Sequence, residues 1–222
     1  MTIERRQHAP SAQVDVHVLT YHSRKRPEWL SQCLASMQNE PVNVYVYDSA
    51  SANIGALRAD AFAVGAAPFL SFIDDDDWVA PGAFNACLSA LRDPAVVGAY
   101  TDWTAVCATG AYVPVSAGSW KPLYGLINYA NILHTKVFRR EPTMRLLDGL
   151  RTWDTLEEAW LVGMLAANGR WQHVPVNGHF KRVGTPSGAG SRITSNHLYR
   201  YQVEVGPILR AAHVREGAKE PL

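Results

Sequence analysis

No stretch of this chain is apolar enough or long enough to span a bilayer, so no membrane insertion is expected. Residues 1–13 carry Arg5 and Arg6 without an apolar segment behind them, which argues against a secretory signal. They read as a disordered leader, and the protein as cytoplasmic. Cysteine is scarce. Cys33, Cys87 and Cys107 are odd in number and far apart, which argues against a disulfide framework and a zinc site. Neither sign of charge is in excess, and a net charge of +1 makes no case for bulk binding to nucleic acid or a membrane surface. Phosphate-binding glycine fingerprints are also missing, because Gly188-Ala189-Gly190 completes neither a GxGxxG nor a Walker A spacing.

The 222 residues are 47% hydrophobic and 18% charged, enough to bury a full core as one domain. Four of their 20 acidic residues stand side by side. Asp74-Asp75-Asp76-Asp77 lies between the apolar run ending in Phe72-Ile73 and the pair Trp78 and Pro81. Four adjacent carboxylates repel one another, and burying any of them without a counter-charge is costly. A divalent cation removes that cost, since hard ions such as Mg2+ or Mn2+ take carboxylate oxygen and keep positions open for phosphate. The plainer alternative is a solvated turn capping the helix that Pro81 begins.

Along the chain, Val14 to Leu19 reads as a strand, Pro27 to Gln38 as a helix burying Leu30, Cys33, Leu34 and Met37, and Val42 to Tyr47 as a strand ending at Asp48. Ala56 to Gly65 reads as a helix, Phe69 to Ile73 as a strand, Pro81 to Leu91 as a helix and Ala95 to Tyr100 as a strand. This alternation predicts an α/β fold, a mostly parallel central sheet with helices on both faces. In such sheets ligands sit outside the carboxyl ends of the strands, where Thr20, Asp48 and Asp74 to Asp77 would converge.

The order strand-Thr20-Tyr21, strand-Asp48-Ser49-Ala50-Ser51, Asn53-Ile54-Gly55 with Arg58, then the acidic run before Pro81, resembles family 2 glycosyltransferases of the GT-A fold across residues 14 to 182. The resemblance implies a metal-dependent, inverting hexosyltransferase using a nucleotide-sugar donor, most simply a UDP-sugar. It places Thr20, Tyr21 and Asp48 at the nucleoside base and brings Arg58 to the nucleotide. In the DxD motif, Asp74 or Asp75 would reach the ribose and Asp76 would hold Mn2+ or Mg2+ on the diphosphate, with Asp74 as a second ligand. Ser49 stands where the family usually has a further aspartate. Residues 14–102 would form the nucleotide-sugar half and 103–215 the acceptor half, with 216–222 as a tail.

Residues 101–122 suit a hairpin or loops lined by Trp103, Tyr112 and Trp120, with Tyr124 just beyond. These rings are either core or a sugar-binding wall, and exposed ones could form a homodimer face. Asn131 to Arg140 reads as a strand carrying His134, more simply a satisfied core residue than a ligand. In the helix from Trp153 to Gly169, Asp154 and Glu157 have capping-box spacing, whereas Glu158 shares a face with Leu161, Val162 and Leu165 and should be buried. Burial raises a carboxyl pKa toward neutrality, as a general base requires. Family members carry Glu-Asp at this helix start, so the resemblance also favours Glu158, then Glu157, then Asp154.

The stretch 177–192, rich in Gly and Ser, reads as a mobile loop. As a lid it would bring Lys181, Arg182 or Arg192 to the leaving diphosphate, with His179 as a further metal ligand; a plain surface loop would carry the same charges. Asn196 to His213 reads as a terminal amphipathic helix interrupted by Gly206-Pro207. Two other functions use similar parts: a sugar-1-phosphate nucleotidyltransferase, for which the glycine-rich N-terminal loop is lacking, and a non-catalytic nucleotide-sugar or glycan-binding module. The acceptor stays open among a glycan, a small molecule, a protein and a modified nucleic-acid base.

Overall fold

A computed structural model describes residues 2–20, 26–49, 53–122, 135–183 and 193–216. Three strands rich in β-branched and aromatic residues, β2 (Val14–Thr20), β3 (Val42–Asp48) and β4 (Phe69–Asp74), pair in parallel with β2 in the middle. Val14, Val16 and Val18 are fully buried on one face of β2. They pack with Cys33 and Met37 around helix α1 (Pro27–Ser36) and with Phe84 and Cys87 of α3 (Ala83–Ala90). The opposite face carries Phe72, which packs with α2 (Ile54–Phe62) and α6 (Glu157–Leu165).

Beyond β4 the alternation breaks. β8 (Lys136–Arg139) runs antiparallel to both β4 and β6 (Val96–Cys107), and β6 pairs in parallel with β9 (Arg170–Val183). With β1 (Thr2–Gln7) at one edge and β5 (Trp78–Val79) at the other, the spatial order is β1-β3-β2-β4-β8-β6-β9-β5, and β7 (Tyr112–Val115) pairs with β6. The α/β architecture with helices on both faces is as expected, but the sheet is mixed: among the described residues parallel pairing is confined to β3-β2-β4 and β6-β9. The expected hairpin is β6-β7. After β8 come two short helices, α4 (Arg140–Met144) and α5 (Leu147–Leu150), and the chain ends in α7 (Ser195–Glu204) and α8 (Gly206–Arg215).

Several local expectations need correction. Thr2–Gln7, expected as a disordered leader, forms β1, antiparallel to β3. Its side chains are exposed, so the hydrophobic pattern of a strand is missing; it is held through its backbone and through Gln7 Nε2, which donates to the carbonyls of Met37, Glu40 and Val42 at 3.0, 3.3 and 3.2 Å. Residues 177–183, expected in a loop, continue β9. Gly178 belongs there because a Cβ at that position would lie 2.3 Å from Thr101 Oγ1, so only glycine lets β6 and β9 approach at their bulge. No side chain caps α6. Its N-cap is Leu156 at φ 57°, not Asp154, so the capping-box reading fails. The terminal helix breaks at Val205, before Gly206-Pro207, as the sequence indicated.

Candidate active site

Parallel pairing brings the carboxyl ends of β2, β3 and β4 to one rim, with Thr20 opposite Asp48 and Leu19 opposite Asp74. There the chain turns, Asp77 N donating to the Asp74 carbonyl at 3.1 Å, and the four aspartates acquire different surroundings. Asp77 is 1% exposed and fully engaged by β9: Oδ1 accepts from Arg182 N at 3.0 Å, while Oδ2 meets His179 Nε2 at 3.1 Å and Lys181 Nζ at 3.5 Å. Arg182 also donates to the Asp76 carbonyl and lies against the rings of Trp29 and Trp78 at 4.7 and 4.6 Å. Lys181 and Arg182 therefore pin the acidic turn from a strand. Tyr21, His134 and Arg192 lie outside the described residues.

Carboxylate oxygens of Asp74, Asp76 and Asp77 come within 4.8 Å of one another, a group able to hold a cation. Asp76 is pushed up to about 6 by burial and by the charges of Asp77, Asp74 and Asp75. His179, expected as a further ligand, is outside this group. Its Nδ1 lies 3.2 Å from Thr135 Oγ1 and its Nε2 faces Asp77, so it braces the turn from behind.

The acid side chains of α6 are sorted differently from the sequence expectation. Glu157, not Glu158, is the buried one, with Oε1 accepting from Arg58 Nε at 3.0 Å. Burial raises its carboxyl pKa, opposed by the Arg58 charge. The reason is the left-handed start of the helix at Leu156, which turns Glu157 toward α2. Arg58, expected at the nucleotide, is buried between Glu157 and Asp74, the latter at 3.7 Å, with its guanidinium 3.6 Å from the Phe72 ring centroid. Asp154 is exposed and lies 3.3 Å from His197. Glu158 is partly exposed and ion-paired with Lys136.

Lys136 is the site residue that the sequence reading passed over. A lysine opening an otherwise apolar strand segment was the available signal.

One cavity adjoins the turn and another lies along the same strand-end rim. A small one of ≈ 30 Å³ is lined by Phe72, Asp74, Asp77, Glu158, His179 and Lys181. A larger one of ≈ 290 Å³ lies at the ends of β2 and β3, between Thr20, Asp48, Pro27 and Leu30. Its outer wall is Thr2, Glu4 and Arg6 of β1. Thr20 Oγ1 is buried there with no hydrogen-bond partner among the described residues. In and around the turn, the carboxylates of Asp74, Asp75, Asp76, Asp77, Glu157 and Glu158 outnumber the cations Arg58, Lys136, Lys181 and Arg182 by six to four, a surplus of two negative charges.

No family model and no curated protein matches the chain. Solved structures of TarS from S. aureus do. The chain aligns with TarS 1-349 in complex with UDP-GlcNAc at a TM-score of 0.62 and 14% identity, covering 95% of this chain and 68% of that one. With the UDP complex the TM-score is 0.60 at 13% identity, over 90% and 65%. The chain spans 60% of TarS 1-349 in a further structure, at a TM-score of 0.55 and 14% identity over 77% of this chain, and 37% of TarS in another. At these identities the likeness establishes a common fold.

Proposed function

We propose that the chain is a metal-dependent glycosyltransferase that moves a sugar from a UDP-sugar to an acceptor hydroxyl with inversion. The observation that carries this reading is the acidic turn with its surplus of two negative charges, which lines a small cavity together with Glu158 and shares its strand-end rim with a cavity large enough for a nucleoside. The fold is shared with TarS, whose structures hold UDP and UDP-GlcNAc, which supports the choice of donor.

The nucleoside fits the larger cavity, where the Thr20 hydroxyl and the Asp48 carboxylate offer polar contacts to a base. The residues of the turn fit a hard divalent cation, Mn2+ or Mg2+. Their donors are carboxylate oxygens, their net charge is negative, and the raised Asp76 pKa marks an anion short of counter-charge. Asp74 and Asp76 would hold the ion, since Asp77 is taken by β9. When bound, it supplies positive charge to the leaving diphosphate.

Lys181, beside Asp74 and Asp77 at the small cavity, adds a second cation for the same phosphates. Glu158 accepts the proton of the acceptor hydroxyl as that oxygen bonds to the anomeric carbon. The carbon–oxygen bond to the diphosphate breaks on the opposite side, and UDP leaves with the electron pair. The buried Arg58–Glu157 pair ties α6 to α2 and β4, keeping Glu158 at the rim.

The test is calorimetric titration with UDP, GDP and UDP-GlcNAc, each with Mn2+ and with chelator, on the wild type and Asp76→Ala. Metal-dependent UDP binding, lost in Asp76→Ala, is expected. A folded sample that binds no diphosphate would overturn the reading. Tight UDP-GlcNAc binding without transfer or slow donor hydrolysis would make the chain a binding module, and pyrophosphate release from a nucleoside triphosphate would make it a nucleotidyltransferase.

A further inference from the structure

We infer that Lys136 is the positioning residue of Glu158, an inference that rests on the transferase reading above. Lysine is almost never fully buried, yet Lys136 is 1% exposed. Its ammonium sits 4.1 Å from the Phe72 ring centroid and pairs with Glu158 Oε1. For stability alone an apolar side chain would serve this place at least as well, because a buried ion pair is a weak stabiliser.

The geometry around the pair supports a positioning role. Lys136 follows Thr135, whose φ of 22° is unusual for a β-branched residue. That backbone is held from β9: Thr135 Oγ1 donates to the Gly178 carbonyl at 2.8 Å and lies 3.2 Å from His179 Nδ1. Local strain of this kind persists where surrounding structure over-determines it, and it collects at functional sites. Here it sets the start of β8, and with it the lysine.

The two successive carboxylates of α6 are treated differently. Glu157 and Arg58 bury each other, their side chains 9% and 7% exposed, which makes that pair a brace. Lys136 is buried to the same degree, but Glu158 keeps 24% of its side chain accessible and borders the small cavity. A fixed ammonium behind a carboxylate that reaches a cavity sets where that carboxylate points. Oε1 is taken by Lys136, and Oε2 is left to receive the proton. The diphosphate does not call for Lys136, because Lys181 already faces the aspartates, 3.7 Å from Asp74 and 3.5 Å from Asp77.

The experiment is a double-mutant cycle read as UDP released from UDP-GlcNAc with Mn2+, water being the acceptor, together with calorimetric affinity for UDP-GlcNAc. The variants are Lys136→Met, Glu158→Gln, the two combined, and Lys136→Arg. Lys136→Met is expected to lower kcat by about 100-fold, within the range for losing a positioned base, while donor affinity changes by less than about 3-fold. Lys136→Arg should recover at least about a tenth of wild-type kcat, and the double variant should fall no further than Glu158→Gln alone.

Losses that multiply in the double variant, or a drop in donor affinity with kcat unchanged, would overturn the inference in favour of a direct contact between Lys136 and the donor. If Lys136→Met does not fold, the double variant removes both charges together, and its comparison with Glu158→Gln decides the matter. A wild type that binds neither UDP nor UDP-GlcNAc would instead sink the transferase reading itself.

Discussion

Two polar clusters hang from the same parallel strands, one at each end. At the amino end Asp15 is fully buried and completely satisfied. It accepts from Asn43 Nδ2 at 2.7 Å, from Ala67 N at 2.9 Å and from Arg140 at 2.6 Å. Arg140 spends its remaining donors on the carbonyls of Ala67, Phe62 and Val64. At the carboxyl end the acidic turn has more carboxylates than cations and lines a cavity. The first cluster closes a sheet by satisfying the buried Asp15 carboxylate internally. The second leaves negative charge unmatched, the condition under which a cation and a diphosphate bind favourably.

This contrast can be broken from either end. The largest effect is expected for Glu158→Gln, which should lower UDP-GlcNAc turnover per folded molecule by about 10²–10⁴-fold, and which also lowers the melting temperature because Lys136 is left buried without its counter-charge. Normal turnover in a folded variant would remove Glu158 as the base. Asp15→Leu should do the reverse. It takes the carboxylate from the half-buried Arg140 guanidinium and the acceptor from Asn43 Nδ2 and Ala67 N, costing about 3–5 kcal/mol in urea unfolding, with UDP affinity unchanged in the molecules that fold. A loss of UDP affinity exceeding the loss of folded protein would mean that the two ends are coupled.

His17 sharpens the comparison through pH. Buried against Tyr45, Tyr47 and Phe62, it is pushed down to about 3, first by burial and then by the Arg140 charge. The unfolded chain protonates it near 6.5, so between about 6.5 and about 3 the unfolded state binds a proton that the native state refuses. Stability is therefore full above about pH 6.5 and falls as the pH drops, by several kcal/mol over that window. His17→Phe should flatten this acid limb in unfolding experiments at pH 7 and pH 4. An unchanged slope would assign acid sensitivity elsewhere.

The smallest effect is expected for Thr20→Val, which removes a buried hydroxyl lacking a partner among the described residues. Stability should hold, while UDP affinity drops by about 1 kcal/mol, close to 5-fold.

Much of the parallel half was legible in the sequence. Val14 to Leu19 and Val42 to Tyr47 alternate or run apolar at strand period, Pro27 marks a helix start, and four aspartates after Phe72-Ile73 announce a charged strand end. Elements with weak or misleading composition were not. β1 buries little, so no periodicity reveals it. The Asn-Gly in β9 reads as a loop, although Gly178 is there for close strand packing. Asp154 and Glu157 have the spacing of a capping box that α6 does not form.

The sequence by itself determined that a set of carboxylates would gather at strand ends in an α/β fold, because hydrophobic period and turn chemistry are local properties. Only the tertiary structure decided what each carboxylate does, because that depends on the cation brought to it from far along the chain. β9 delivers Lys181 to Asp77, along with the Arg182 backbone N–H and His179, α2 delivers Arg58 to Glu157, and β8 delivers Lys136 to Glu158. Burial and pairing energies belong to those long-range contacts, which no stretch of sequence contains alone.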